Sequence, residues 1–239
     1  MGDRLASVVY APGETCSAGV HFSGAVLTGG RSRRMGFPKS RLIVERETLL
    51  RRQLRLLLEA GASEMLISVN PECPESPPED IPARVVPDRI RDSGPVAGME
   101  ALLRASQAPW VLIVAVDLPR LTIGFIQELL HRRTLTTGVV PVLDGRLEPL
   151  CAVYPRKAAD LATRLLDERR LEATALASIG IQEGWLRPWS VPESAREQLT
   201  NWNHPWELQQ GGQAQSHIRD SSTSGTEPSD LRQERSGPN

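Results

Sequence analysis

Apolar residues fall along the chain in short blocks of two alternating kinds. Residues 25–27, 65–69 and 110–116 are continuous or nearly continuous apolar runs of strand length. The last of these, seven residues long, has the character of a strand buried on both faces. Shorter blocks at 42–44, 84–86, 139–142 and 150–153 also read as strands. Between them lie segments with helical spacing. Over 48–60 the leucines at 50, 54, 57 and 58 share one face, and Gly61 is the expected stop. Helices are also expected over 96–105, over 122–132 with Thr122 as N-cap, and near 157–166 and 172–177. The proline-rich stretch 71–82 is loop, and Asp144-Gly145 is a hairpin-type turn.

Strands alternating with helices predict an α/β fold: a three-layer, mainly parallel, Rossmann-like sheet with helices on both faces. The organised domain is expected over 21–208. Residues 1–20 lack a clear period and read as a flexible extension, and 209–239 are too polar to offset their ordering entropy. Sheets of this kind bind ligands at the carboxyl ends of their strands, so the residues just beyond each strand decide the chemistry.

After the first strand comes 27–39, a loop with Leu27, Thr28, Gly29, Gly30, Arg31, Arg34 and Lys39. Its glycines permit close backbone approach, its amides can form an anion-binding concavity, and its cations can neutralise a triphosphate. The equally open alternative is an ordinary turn with solvated arginines. It is neither a Walker loop nor a dinucleotide fingerprint. Lys39 and Lys157 are the only lysines in an arginine-rich chain, which suggests that Lys39 is kept for its compact charge.

Asn70 follows the second strand and precedes proline, which reads either as a base- or ribose-reading amide or, more simply, as a turn former. Asp88 and Asp92 follow the third strand, in a loop entering a helix through Gly94-Pro95. A carboxylate there can accept the paired donors of a guanine edge, or can cap and pair locally. The fourth strand runs directly into Asp117. A carboxylate in such a place needs a partner, and Mg²⁺ is the usual one where phosphates converge; an N-cap or a pairing with Arg120 is the alternative.

Composition narrows the classes. With 40% hydrophobic and 24% charged residues and a net charge of −1, the chain reads as soluble and globular, with neither nucleic acid nor a membrane as an expected partner. Cys16, Cys73 and Cys151 are widely spaced and fit neither a disulfide framework nor a zinc site. No secretory signal is read in the first residues, and a cytoplasmic enzyme is expected.

These motifs resemble those of the molybdenum cofactor guanylyltransferases. The run 27–39 is similar to the family's L-A-G-G-x-S-x-R-M-G-x-x-K motif, with Thr28 in place of alanine. Asp88 with Gly94, Pro95 and Gly98 matches its D-x-x-x-x-x-G-P-x-A-G stretch. Asp117-Leu118-Pro119 matches its strand-D-x-P motif. Asn201 and Asn203 match its N-x-N-T-P-E-E segment, although His204 and Trp206 depart from it.

The resemblance implies transfer of GMP from GTP to the terminal phosphate of molybdopterin, with release of pyrophosphate. It implies GTP contacts from Leu27, Thr28, Gly29, Gly30, Lys39, Asn70, Asp88 and Asp117, and Mg²⁺ on Asp117. Lys39, Arg34 and Asp117 would be the catalytic set. Gly94, Pro95, Gly98, Asn201 and Asn203 would lie toward the acceptor substrate. Transient contact with proteins of cofactor synthesis or molybdoenzyme maturation is a further expectation. The alternatives are a cytidylyltransferase for the same pterin, a sugar- or isoprenoid-phosphate nucleotidyltransferase, and a non-catalytic nucleotide-binding subunit.

Overall fold

The computed structural model describes residues 21–28, 39–72, 75–88, 90 and 94–202. The expected extension over 1–20 and tail over 209–239 lie outside the described residues, as do Gly29, Gly30, Arg31, Arg34, Asp92 and Asn203.

The chain opens with strand β1 (Phe22–Leu27), all six residues of which are buried. A 3-10 turn (Lys39–Arg41) and a small hairpin of β2 (Ile43–Val44) and β3 (Glu47–Thr48) lead into α1 (Leu49–Glu59). Thr48 caps α1 by accepting from the Arg51 amide, and the helix ends before Gly61, at φ +87°. Strands β4 (Glu64–Val69) and β5 (Arg84–Pro87) follow, then α2 (Gly94–Ala105), β6 (Trp110–Ala115) and α3 (Ile123–Arg132). The Thr122 hydroxyl accepts from the Phe125 amide, so the expected N-cap of α3 is present. The remainder is β7 (Gly138–Leu143), β8 (Arg146–Leu147), β9 (Cys151–Pro155), α4 (Ala158–Asp167), α5 (Ala173–Gln182) and β10 (Leu186–Ser190). A 3-10 helix, Glu193–Leu199, closes the described chain.

Seven strands form the sheet in the order β10-β7-β9-β6-β1-β4-β5, with the short β8 paired to β7. β1 lies parallel between β4 and β6: Leu27 sits opposite Ser68 on one side and Ala115 on the other. β4–β5 and β7–β10 are also parallel, whereas β9 runs antiparallel to both β6 and β7. The sheet is therefore mainly parallel, with the short β8 and β9 reversed.

Helices α1 and α3 cover one face, and α2, α4 and α5 the other. Alternation along β1 assigns the layers. A Cβ on Gly24 would stand 2.9 Å from that of Leu57, so this strand face is pressed against α1. Ala25 and Leu27 point the other way, into a core with Val96, Leu102, Ile113, Tyr154, Leu165 and Leu176.

The connectivity creates a switch point. From β1 the chain moves outward through β4 to β5, then returns on α2 to lay β6 on the opposite side of β1. In sheets of this kind the ligand crevice lies over the carboxyl ends of the two strands at such a point, here β1 and β6.

Candidate active site

The crevice is where the two most informative residues meet. Lys39 and Asp117, 78 residues apart, form an ion pair with Nζ 2.8 Å from Oδ2. Each side chain is about one-fifth exposed, reachable from solvent but largely walled by protein (19% and 18%). Arg120, the alternative partner for Asp117, pairs with Glu197 instead.

Asp117 is held through its surroundings. The Val116 amide donates to the Leu27 carbonyl (3.1 Å), and the Trp202 amide to the Asp117 carbonyl (3.0 Å). Gln53, fully buried on α1, donates from Nε2 to the Leu118 carbonyl at 2.7 Å. Lys39 is placed by its own turn, whose next residue, Ser40, donates to the carboxylate of Glu75; both side chains are buried. Two loops and a helix therefore fix the pair.

A second group lies on the β4–β5 side. The Thr28 amide and hydroxyl both donate to the Ser68 carbonyl, continuing the β1–β4 ladder past Leu27. The Ser68 hydroxyl donates to Asp88 Oδ1 at 3.0 Å, and the Asp88 amide to the Val69 carbonyl. Burial pushes the Asp88 carboxyl up to about 6, opposed by that Ser68 bond. Gly98 in α2 makes this packing possible. A Cβ there would stand 2.4 Å from Leu27 Cδ1, 2.5 Å from Ser68 Oγ and 3.3 Å from Asp88 Oδ1.

Gly94 is needed for its positive φ of +63° and for its approach to the Leu171 carbonyl, 2.8 Å from a Cβ built on it. Asn70 Oδ1 accepts from the Glu72 amide (3.0 Å), the turn-forming arrangement expected of Asn before Pro.

A third region lies on the β6–β9 side: a pocket of about 450 Å³, to which Gly94, Pro95 and Asn201 contribute. Its lining includes Ala115 and Leu118, the residues that flank Val116-Asp117 in sequence. The structure thus brings Leu27, Thr28, Lys39, Asp88 and Asp117 to one rim, with Gly94, Pro95, Gly98 and Asn201 around it.

Gln53 beneath Asp117, Ser68 beside Asp88, and Glu148 in the lining of the β6–β9 pocket are residues that sequence reading passed over. Gln53 had a signal, a polar side chain among the leucines of the apolar face of α1. Ser68 had a weaker one, as the polar residue in an otherwise apolar strand.

An α/β sheet with a lysine–carboxylate pair at the switch between its first and fourth parallel strands defines a nucleotidyltransferase-type domain. Residues 24–181 match the model of the MobA-like NTP transferase domain, and the chain belongs to that family of nucleotidyltransferases. It is 36% identical to the probable molybdenum cofactor guanylyltransferase of Opitutus terrae, over 77% of this chain and 91% of that protein. It is 32% identical to the protein of that name from Chloroflexus aggregans, over 78% and 91%. Two solved structures share the fold. Molybdopterin-guanine dinucleotide biosynthesis protein A from Archaeoglobus fulgidus superposes with a TM-score of 0.58 at 22% identity, covering 79% of this chain and 95% of that one. The 2-C-methyl-D-erythritol 4-phosphate cytidylyltransferase of Thermus thermophilus gives 0.61 at 21%, covering 80% and 97%.

Proposed function

We propose that this chain transfers GMP from GTP to the terminal phosphate of molybdopterin in the cytoplasm. The observation that carries this reading is the Lys39–Asp117 pair at the switch point, in a chain more than 30% identical to two proteins named for that activity. An acceptor phosphate oxygen bonds to the α-phosphorus of GTP in line with the departing group. The bond from that phosphorus to the β-phosphate oxygen breaks, and pyrophosphate leaves with the electron pair. Such a transfer needs positioning and charge neutralisation rather than a protein nucleophile.

Lys39 offers its compact charge to the phosphates, joined in this role by Arg34 and by the amides near Gly29 and Gly30. Asp88 accepts from the guanine N1–H and exocyclic amine as a carboxylate already fixed by Ser68. Leu27, Thr28 and Asn70 line the nucleoside side. Asp117 is the ligand for Mg²⁺. Among the described residues no group of three or more His, Cys, Asp or Glu could hold a metal. The Asp117 carboxylate, which already faces the Lys39 ammonium, would suit a hard divalent cation. When bound, Mg²⁺ supplies charge neutralisation at those phosphates.

The test is pyrophosphate release with GTP, CTP, ATP and UTP, each with and without molybdopterin. Release that requires both GTP and molybdopterin is expected. Preference for CTP would replace the base assignment, and no release with any combination would make the chain a non-catalytic binder.

A further inference from the structure

The pocket on the β6–β9 side contains a carboxylate that the transfer step does not use. Glu148 follows β8 and is held at its backbone from two directions. Its amide donates to the Pro141 carbonyl at 2.8 Å, and its carbonyl accepts from the Cys151 amide at 3.3 Å. The next residue is fixed as well, since the buried Tyr154 hydroxyl donates to the Pro149 carbonyl at 2.7 Å. The Glu148 side chain is half-buried and lines the pocket, whose walls include Leu118, Pro149, Leu150, Leu171 and Leu199.

Among the described residues none donates a hydrogen bond to the Glu148 carboxylate. Burial pushes its carboxyl above the ordinary range, and the charge of Arg146 offsets this only in part. A half-buried carboxylate without a protein donor in a mainly apolar recess keeps its accepting capacity for a ligand that brings donors. Glu172, the other carboxylate of the lining, is exposed. The volume of about 450 Å³ lies within the range of small-molecule sites. Its place across β6 from Asp88 assigns it to the acceptor rather than to the nucleoside.

Resting on the proposed function, we infer that Glu148 accepts hydrogen bonds from the ring N–H and exocyclic amine of the acceptor's 2-amino-4-oxopyrimidine edge, so selecting a pterin. The planar ring lies against the proline and leucine walls, and its phosphate end points past Leu118 toward Lys39 and Asp117. A carboxylate suits this edge because both of its oxygens accept, whereas an amide would set its own donor against the amine.

The experiment compares apparent KM values for molybdopterin and for GTP in wild-type protein, Glu148→Gln and Glu148→Asp, with melting temperatures as the folding control. Glu148→Gln is expected to raise the molybdopterin KM roughly ten- to hundredfold. Its GTP KM and its turnover at saturation should stay within about twofold. Glu148→Asp, which keeps both acceptor oxygens, is expected to recover most of the loss. A molybdopterin KM unchanged in Glu148→Gln, or raised no more than that for GTP, overturns the assignment. If wild-type protein itself transfers nothing to molybdopterin, the proposed function fails first and takes this inference with it.

Discussion

Replacing Gly98 by alanine tests the nucleoside side of the site through packing alone. In an unconstrained helix the change would stabilise by about 1 kcal/mol. Here the new methyl would stand 2.4 Å from Leu27 Cδ1 and 2.5 Å from Ser68 Oγ, and both side chains are buried. Overpacking of this kind costs about 1–3 kcal/mol. Moving the Ser68 hydroxyl also weakens its bond to Asp88, and a hydrogen bond to a charged group contributes about 1.5–3 kcal/mol. After the helix gain is subtracted, a net loss of about 1.5–5 kcal/mol is expected. At roughly 2–4 °C per kcal/mol for a domain of this size, the melting temperature falls by about 3–20 °C.

Two further glycines supply controls for thermal melts and GTP kinetics run on the same preparations. A Cβ on Gly180 would stand 2.4 Å from the Trp185 ring, far from Asp88 in the fold, so Gly180→Ala should destabilise without altering the GTP KM. A Cβ on Gly124 would meet only Thr122 Oγ1, at 4.0 Å, so Gly124→Ala should be neutral or slightly stabilising. Gly98→Ala alone should both lower the melting temperature and raise the GTP KM. A Gly98→Ala protein that melts like wild type, or that loses stability with its GTP KM unchanged, would refute this account of Gly98.

Asp117→Ala should abolish Mg²⁺-dependent pyrophosphate release by about 100-fold or more while costing about 1 kcal/mol of stability, the scale of one partly exposed ion pair; retained turnover removes the metal-ligand role. Lys39→Arg should lower turnover at saturating GTP by about tenfold, because a planar fork replaces a compact charge, and an effect confined to KM contradicts that role. Asp88 must be ionised to accept the guanine donors, and its carboxyl lies at about 6, so kcat/KM for GTP should fall as pH drops below about 6. Asp88→Asn should flatten that limb of a pH profile. The same upward shift makes Asp88 a destabilising influence once ionised, which is relieved as pH falls from about 6 toward its ordinary range near 4.

Much of this architecture is legible along the chain. The seven apolar residues before Asp117 are all buried, and the caps at Thr48 and Thr122 fall where hydroxyls precede helical spacing. The reversal into β9 is legible from the Asp144-Gly145 hairpin turn, whereas its insertion between β6 and β7 is not, because burial on both faces looks the same whichever strands are the neighbours. Strand β10 escapes notice because Arg187 and Pro188 interrupt its apolar residues, which an edge strand tolerates. In the site, Asp88 and Asp117 stand out as carboxylates at strand ends. Glu148 does not, since a glutamate just past a turn reads as solvated. Its pocket is enclosed by Leu171 and by Leu199, both distant in sequence. The lysine of one loop and the aspartate that receives it are likewise joined only by the crossover through α2.

The reversed arm formed by β8 and β9 also bears on how such a site diversifies. The parallel strands β1, β4, β5 and β6 each leave the rim through a connection whose handedness the sheet constrains, so the nucleotide half is costly to rebuild. Strand β9 instead enters the rim from a hairpin, whose tight turn at Asp144 and Gly145 takes positive φ at both residues. Residues can be inserted or exchanged between β8 and β9 without altering any crossover. A lineage, or an engineer, can therefore change the acceptor while leaving the triphosphate machinery intact.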